Sequence, residues 1–200
     1  MQRSLANVIY VASKVVKGYG RGSKELGIPT ANLEDHVVPN ITLDDGIYYG
    51  FAQLDYSPNL PLNIVQLDQQ ASQHQQKQNH QLGQQQQQKE NKDKKNESMV
   101  MLEGCPHNPI YPMVCSLGWN PQYNNKSRTL EVHILHHFDY DFYGSVIRIA
   151  ICGYIRPEMR FESLQKLIDT IHEDIRFAQN VLDQPMNHWL HVVTNQFFHL

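Results

Sequence analysis

The sequence predicts a mainly β fold, in which a small antiparallel barrel or sandwich carries one amphipathic helix packed against it. Several short segments rich in β-branched and aromatic residues come first along the chain, separated by turn signals. One long segment, 164–182, then repeats apolar residues at three- and four-residue spacing. A series of short strands followed by a single helix favours a closed β structure that the helix covers.

Five segments before the helix have the composition of strands. Asp45-Gly46 is a tight-turn signal before the second of them, and Gly118-Trp-Asn-Pro121 marks a turn after the third. The predicted strands are Val8–Val16, Ile47–Leu54, Tyr111–Leu117, Leu130–Leu135 and Val146–Ile155.

The helix has recognisable start and stop signals. Ser163 is a candidate N-cap residue, since a serine side chain can accept a hydrogen bond from a free backbone N–H of the first turn. Glu, Lys, Asp and Arg residues separate the apolar positions, which predicts one apolar face. Pro185 ends the pattern.

The 200 residues are enough for one domain, which we take to span 1–200. Within it, 66–98 is dominated by glutamine and offers almost nothing apolar to bury. We therefore expect a disordered insertion here, which leaves roughly 160 to 170 residues for the folded core. Because the cost of loop closure grows only logarithmically with length, such an insertion can lie between two paired strands.

The charge balance gives no reason to expect a nucleic acid or an anionic membrane as a partner, since 17 basic and 20 acidic residues give a formal net charge of -3. The N-terminal segment lacks the long apolar stretch of a signal peptide or a membrane span. Cys105, Cys115 and Cys152 are odd in number and show no C-x-x-C spacing, which favours a reducing compartment. We expect a monomer in the cytoplasm, with a mitochondrial pool as the alternative.

The most distinctive segment is 18–32, Gly-Tyr-Gly-Arg-Gly-Ser-Lys-Glu-Leu-Gly-Ile-Pro-Thr-Ala-Asn. Its glycines let backbone amides approach an anion closely, and Arg21 and Lys24 add positive charge. Thr30 and Asn32 supply neutral oxygens that suit a hard cation. The segment matches neither G-x-x-x-x-G-K-[ST] nor G-x-G-x-x-G, so it predicts a nucleotide site without a P-loop.

This segment, extended to Leu33, is the first of five blocks that form a joint pattern. The others are Gly46-Ile-Tyr-Tyr-Gly50, Ser116-Leu-Gly-Trp-Asn-Pro121, Glu131-Val-His-Ile-Leu-His136, and Asp141-Phe-Tyr-Gly144 through Gly153-Tyr-Ile-Arg-Pro-Glu158. Together they resemble the riboflavin kinase (flavokinase) family, in particular its eukaryotic monofunctional members. The resemblance covers about Val15 to Leu182. The order of the five blocks and their separation along the chain also fit that family, except across the glutamine-rich insertion.

The resemblance implies a fold, a reaction and its small-molecule partners. The fold is a six-stranded Greek-key antiparallel β-barrel with a C-terminal α-helix packed against it. The reaction transfers the γ-phosphate of ATP to the ribityl 5′-hydroxyl of riboflavin and gives FMN and ADP, the first step of FMN and FAD biosynthesis. Mg²⁺ is the implied cofactor, with Zn²⁺ or Mn²⁺ as alternatives, and ATP is the co-substrate.

The resemblance also implies the site residues. Glu131 matches the catalytic carboxylate, and the alternating pattern of its strand supports this, because the apolar residues lie on the opposite face. Thr30 and Asn32 match the magnesium-coordinating pair. The remaining matched positions are Gly18, Lys24, Thr30, Ile134, His136 and Tyr143 for the nucleotide, and Asn120 and Arg156 for the flavin.

Two of these positions leave structural alternatives open. His136 would share the face of Val132 and Ile134 in a regular strand, so a bulge or a strand end is needed to present its side chain to a ligand. Arg156-Pro-Glu158 could equally be a structural loop with an ion pair. The chain also departs from the family in the tail 183–200, where Asn195-Gln-Phe-Phe198 only loosely resembles the family's C-terminal Asn-Phe-Phe.

A barrel that binds flavin or nucleotide without catalysis is the alternative function, and the presence of Glu131 together with the Thr30 and Asn32 pair argues against it. An RNA-binding barrel is disfavoured because the sequence has no basic, aromatic face.

Two further groups of residues need an interpretation. A zinc site built from the histidines at 133, 136 and 137 is disfavoured, because positions i and i+3 of a strand point to opposite faces. Tyr48, Tyr49 and Trp119 are expected to be packing residues rather than flavin-stacking ones.

Overall fold

The computed structural model describes residues 3–18, 26–55, 109–119, 127–183 and 188–198. The strands are β1 (Arg3–Val16), β2 (Ala31–Leu33), β3 (Gly46–Asp55), β4 (Ile110–Gly118), β5 (Thr129–Ile134) and β6 (Val146–Arg156). The helices are α1 (Leu164–Leu182) and the short α2 (Leu190–Val193), and 3₁₀ turns lie at Val38–Asn40 and Gln196–Phe198. The predicted insertion at 66–98, the predicted site residues Lys24 and Asn120, and the stop residue Pro185 lie outside the described residues.

The six strands close into a barrel in the order β1-β2-β5-β4-β3-β6, and neighbouring strands are antiparallel. β3, β4 and β5 are consecutive neighbours, and β2 lies beside β5, which is a Greek-key arrangement. β3 and β4 pair from Gly46 opposite Leu117 to Gln53 opposite Ile110. The predicted barrel is therefore confirmed, and the glutamine-rich segment connects two strands that pair with each other.

Strand boundaries agree with the sequence prediction to within one residue, with one exception. β1 begins at Arg3 rather than at Val8, so the prediction of its start was wrong. The pairing of β1 with β6 shifts register between Ser4 and Ile9, and an irregular strand start shows no regular alternation in the sequence. The extended segment that ends at Leu33 contains β2, which is only three residues long.

The barrel has one apolar layer inside it and a second on its outer surface. Alternate strand residues fill the interior, and the largest of them include Tyr48, Leu54, Met113, Leu117, Leu130, Ile147, Ile149 and Ile151. The outer layer is drawn from β1, β3, β4 and β6, and it packs beneath α1 and the C-terminal segment. The outer faces of β2 and β5 carry polar side chains instead, so they are the part of the barrel surface that can hold a polar site.

The helix α1 has the predicted bounds. The Ser163 hydroxyl caps its first turn by accepting a hydrogen bond from the backbone N–H of Lys166 at 3.1 Å. Ala178 and Leu182 are buried against the outer layer of the barrel. In the described part of the chain, neither helix combines the length and apolarity needed to cross a bilayer.

The C-terminal segment after α1 is part of the core, which the sequence pattern did not predict. Trp189 is buried edge-on against Tyr49, and its indole N–H donates to the carbonyl of Val181 at 3.1 Å. Phe197 packs on Tyr10, with their ring centroids 5.1 Å apart. The barrel, α1 and this segment therefore share one outer apolar layer.

The aromatic residues of the motif blocks divide into two groups. Tyr48 and Tyr49 are buried, as the sequence predicted. The expectation for Trp119 was wrong, because its side chain is 48% exposed. The physical reason is its position one residue beyond the end of β4, where the strand pairing no longer directs its side chain into a packed layer.

Candidate active site

β2 and β5 bring three of the predicted site residues together. Ala31 pairs with Val132, and both side chains point into the barrel, where they are buried. The alternation of a strand then places Thr30 and Asn32 on the outer face, with Asn32 directly opposite Glu131. The predicted face of β5 is confirmed, since its alternate apolar residues are buried inside the barrel.

Glu131 lies beside a neutral hydroxyl as well as a neutral amide. The hydroxyl of Thr30 donates to Glu131 Oε2 across 3.5 Å, although 101 positions separate the two residues in the sequence. Both residues are only partly buried, so the carboxylate is reachable from solvent. A partly exposed carboxylate can be approached by a substrate hydroxyl, which a general base requires.

Gly18, just beyond the end of β1, lies next to the site. Val16, the last residue of β1, pairs with Asn32, so the chain leaves β1 next to the Asn32 side chain. A Cβ on residue 18 would lie 2.7 Å from Asn32 Cγ. The glycine therefore leaves the space that the Asn32 amide occupies.

The donor set on this face fits a hard divalent cation. Thr30 and Asn32 offer neutral oxygens, and a carboxylate oxygen of Glu131 lies next to the Thr30 hydroxyl. Mg²⁺ is bound in this way by few protein oxygens when phosphate and water supply the others. Among the described residues, no three His, Cys, Asp or Glu side chains form a metal-binding cluster, so a site here would depend on the neutral oxygens.

The chain that connects β5 to β6 contributes to the same edge of the barrel. The backbone N–H of Gly144 donates to the carbonyl of Val15 at 2.8 Å, which ties the Tyr143-Gly144 turn to the end of β1. Tyr143 is 55% exposed there. Gly144 has a positive φ of 84°, a conformation that glycine adopts without the strain of a side chain. Tyr143 and Gly18 therefore flank the same end of β1.

His136 lies just beyond β5, and the strand end that its predicted role requires is present. β5 ends at Ile134, and the exposed imidazole of His136 stacks on Tyr111 with ring centroids 4.3 Å apart. A cavity of about 320 Å³ opens here, lined by Leu54, Pro109, Tyr111 and residues 136–140. Ile134 differs from His136, because the Ile134 side chain is buried in the barrel interior.

The comparison with known sequences decides the family. A sequence model of the flavokinase family, described as riboflavin kinase, matches residues 5–182. The chain belongs to the riboflavin kinase family. The match covers β1 from residue 5, the other five strands and α1, so it applies to the whole barrel and not to one motif.

Curated riboflavin kinases match over most of their length. The riboflavin kinase of Yarrowia lipolytica is 37% identical over 184 residues, which cover 92% of this chain and 85% of that protein. The human riboflavin kinase is 34% identical over 191 residues, 94% of this chain and 89% of that protein. The crystal structure of riboflavin kinase from Trypanosoma brucei superposes with a TM-score of 0.59 at 22% identity, and it covers 100% of this chain and 92% of the other. Family membership favours the kinase interpretation over the non-catalytic barrel.

In this riboflavin kinase fold, Arg156 lies away from the three-residue site. Register pairs connect Glu131 to Ser116, Ser116 to Ile47, and Ile47 to Arg156. Arg156 is therefore three strands from Glu131, about 14 Å along the sheet at about 4.8 Å per strand. Its guanidinium binds both carboxylate oxygens of Asp174 on α1, at 2.7 to 3.1 Å. Arg156 is thus ion-paired, as the sequence left open, but its partner lies on α1 and not within the Arg156-Pro-Glu158 segment. The flavin role of Arg156 stays a prediction.

Glu158, near the predicted flavin side, was not among the predicted site residues. Glu158 accepts a hydrogen bond from the backbone N–H of Trp119 at 3.0 Å, and a Cβ on Gly118 would lie 2.8 Å from Glu158 Oε1. The carboxylate thus fixes the chain at the end of β4, immediately before the Asn120 position. The Gly-Trp pair in the turn block is the sequence signal for this close approach, but the partner lies 39 residues further on.

Proposed function

We propose that the protein is an ATP:riboflavin 5′-phosphotransferase, which transfers the γ-phosphate of ATP to the ribityl 5′-hydroxyl of riboflavin and gives FMN and ADP. The observation that carries this proposal is the meeting of Thr30, Asn32 and Glu131 on one outer face of the barrel. Phosphoryl transfer depends mainly on positioning, charge neutralisation and an oriented nucleophile, and this face offers groups for each. Membership of the riboflavin kinase family supports the choice of substrates.

Thr30 and Asn32 are the residues that would hold Mg²⁺. When bound, the cation neutralises charge on the phosphate oxygens of ATP, which lowers the cost of transferring the γ-phosphate. Glycine at position 18 leaves room for the Asn32 amide, which a side chain there would displace. Mn²⁺ and Zn²⁺ are the alternative ions, and an activity titration with each metal distinguishes them.

The nucleotide would lie along the edge formed by the end of β1 and the chain after β5. Gly18 allows close backbone approach, and the Lys24 ammonium supplies a positive charge for phosphate oxygens. Exposed Tyr143 and His136 offer side-chain contacts from the connection between β5 and β6. At Ile134 the contact would come from the backbone, since the side chain is buried.

Glu131 would act as the general base. Its carboxylate accepts the proton of the riboflavin 5′-hydroxyl as the oxygen forms a bond to the γ-phosphorus, and the bond between the γ-phosphorus and the β,γ-bridging oxygen breaks to release ADP. A positioned general base contributes about 10²- to 10⁴-fold in rate. The flavin ring would then extend along the barrel toward Arg156 and the end of β4.

The experiment is an FMN assay on the purified protein with riboflavin, ATP and Mg²⁺, in which FMN is resolved chromatographically. Glu131→Gln should reduce kcat by about 10²- to 10⁴-fold because it removes the proton acceptor while keeping the shape of the side chain. The absence of FMN formation by the unmutated protein would reject the kinase proposal. Full turnover by Glu131→Gln would reject only the assignment of the base.

We place this activity in a cytoplasmic monomer. Cys115 and Cys152 are both free thiols buried in the fold, which suits a reducing compartment. Sedimentation velocity at micromolar concentration tests the monomer, and a concentration-dependent shift to a larger species would contradict it.

A further inference from the structure

His133 connects β5 to the segment that carries the proposed metal ligands. Its ring nitrogen Nδ1 lies 2.8 Å from the carbonyl oxygen of Pro29, although the two residues are 104 positions apart. Because a carbonyl can only accept, Nδ1 carries the proton and donates it in this bond. His133 lies two residues after Glu131 and shares its outer face of β5.

This bond continues the connection between β2 and β5 where the strand pairing stops. The register of β2 with β5 covers Ala31 opposite Val132 and Asn32 opposite Glu131. The next position of β2 in register is Thr30, which would face His133. Proline at position 29 has no N–H to donate, so its carbonyl is the backbone group that can link this residue to β5. The imidazole supplies the donor for that link.

The ring acts here as a neutral hydrogen-bond donor. Burial lowers the pKa of His133, the bond to Pro29 opposes that shift, and the neighbouring His172 on α1 adds to it. His172 is the ionisable group that lies near the ring from another element, and Glu131 shares the outer face of its own strand. A neutral ring protonated at Nδ1 keeps the bond to Pro29.

We propose that His133 is a positioning residue of the active site: it holds the Pro29-Thr30 segment against β5, so that the Thr30 hydroxyl stays beside the Glu131 carboxylate. This inference rests on the proposed roles of Thr30 and Glu131. His133 itself touches neither the substrates nor the reacting atoms in this scheme. Its removal should therefore loosen residues 29–32 and weaken the use of the metal-bound nucleotide more than the use of riboflavin.

The variants separate the hydrogen bond from the bulk of the ring. His133→Leu removes the donor, whereas His133→Asn keeps an N–H near the position of Nδ1. His172→Leu is the matched control, because it removes the neighbouring ring on α1 without touching Pro29. We expect His133→Leu to raise the KM for Mg·ATP about tenfold, equivalent to about 1.4 kcal/mol, with a smaller change in the KM for riboflavin. His133→Asn should restore most of this loss, and His172→Leu should leave the KM unchanged.

Two results would overturn the proposal: an unchanged KM for Mg·ATP in His133→Leu, or a defect in His133→Asn as large as that in His133→Leu. If His133→Leu does not fold, His133→Gln takes its place. The glutamine amide N–H lies near the position of Nε2 and cannot make the bond that Nδ1 makes. The KM values for Mg·ATP of His133→Gln and His133→Asn are then compared in the same way.

Hydrogen exchange of a peptide that covers 28–33, measured without substrates, tests the positioning role independently of any activity. Faster exchange in His133→Leu than in His172→Leu supports the link to Pro29, whether or not FMN is formed. A lack of FMN formation would count against the kinase proposal alone. Equal exchange in the two variants would overturn the positioning role.

Discussion

Gly18 lies directly against the side chain of Asn32, so that a Cβ on residue 18 would come within 2.7 Å of Asn32 Cγ. The contact joins the end of β1 to the outer face of β2, and Asn32 in turn lies opposite Glu131 on β5. The absence of a side chain at residue 18 therefore leaves the space that this amide, which we assign to the metal, occupies.

Gly18→Ala should weaken the apparent affinity for Mg²⁺ in the FMN assay by about 10- to 100-fold, the usual cost of disturbing the support of a metal ligand. The added methyl group forces the flexible Asn32 side chain to move, while the buried layers of the barrel are untouched. Gly27→Ala is the control, because its methyl group would meet nothing within 4 Å but its φ of 73° strains an L-residue. We expect Gly27→Ala to lower the Tm and Gly18→Ala to change the metal titration. Similar metal titrations for the two variants would contradict the role of Gly18.

The ion pair between Arg156 and Asp174 provides a second prediction. Asp174 is almost fully buried, and the guanidinium binds it through Nε and Nη2. Asp174→Asn should destabilise the protein by about 3 kcal/mol in urea unfolding, because it leaves the Arg156 charge without its partner. Arg156→Lys should also destabilise it, since an ammonium cannot form the two-point contact.

Kinetics at a temperature where both variants are folded separate anchoring from flavin binding. If Arg156 also contacts the flavin, Arg156→Lys raises the KM for riboflavin well beyond the effect of Asp174→Asn. Equal KM values for the two variants would restrict Arg156 to holding α1 on the barrel.

Trp119 and Glu158 provide the third prediction. Glu158→Ala removes the acceptor of the Trp119 backbone N–H and should raise the KM for riboflavin about tenfold, in line with the 1.5 kcal/mol or more of a hydrogen bond to a charged group. The KM for ATP should change little, because the described nucleotide residues lie at the end of β1, just before β2 and within or after β5, and not on β4 or β6. Exposed Trp119 should also report flavin binding by quenching of its fluorescence. Trp119→Phe is the control for that signal, since buried Trp189 then remains. Quenching of equal size in Trp119→Phe would show that Trp119 does not report the flavin.

The sequence predicted the parts of this fold that have a regular period. Alternation in β5 placed Glu131 on the outer face, and the three- and four-residue spacing of α1 predicted both of its ends. Both signals are local, because they follow from which side of a strand or helix is buried. The i, i+2 spacing of Thr30 and Asn32 indicates a shared face for the same reason.

The periodicity of the sequence did not predict contacts between distant segments. Trp189 and Phe197 cover the outer layer of the barrel, but the short helix and turn that carry them have no period long enough to recognise. The bond from His133 to Pro29 and the bond from Trp119 to Glu158 join residues 104 and 39 positions apart. No spacing within either segment encodes such a partner, so these positions were identified only from the folded chain.

The two described cysteines should lower the stability of the protein at alkaline pH. Cys115 lies inside the barrel and Cys152 beneath the C-terminal segment, and burial raises the pKa of both thiols well above the ordinary value of about 9. Above pH 9 the unfolded chain loses these protons while the folded chain keeps them, so the stability they contribute is complete below pH 9 and is lost as pH rises. Each thiol should then reduce the free energy of unfolding by about 1.4 kcal/mol per pH unit.

Urea unfolding between pH 8 and 10.5 measures how the free energy of unfolding changes with pH. Cys152→Ala should make this dependence shallower by the contribution of one thiol. Iodoacetamide at pH 8.5 supplies a second readout, because only the thiolate reacts and both buried cysteines should remain protonated in the folded protein. Peptide mass spectrometry should find Cys115 and Cys152 unmodified in the folded protein and alkylated in urea. Rapid alkylation of either residue in the folded protein would show that its thiol is less protected than the barrel packing implies.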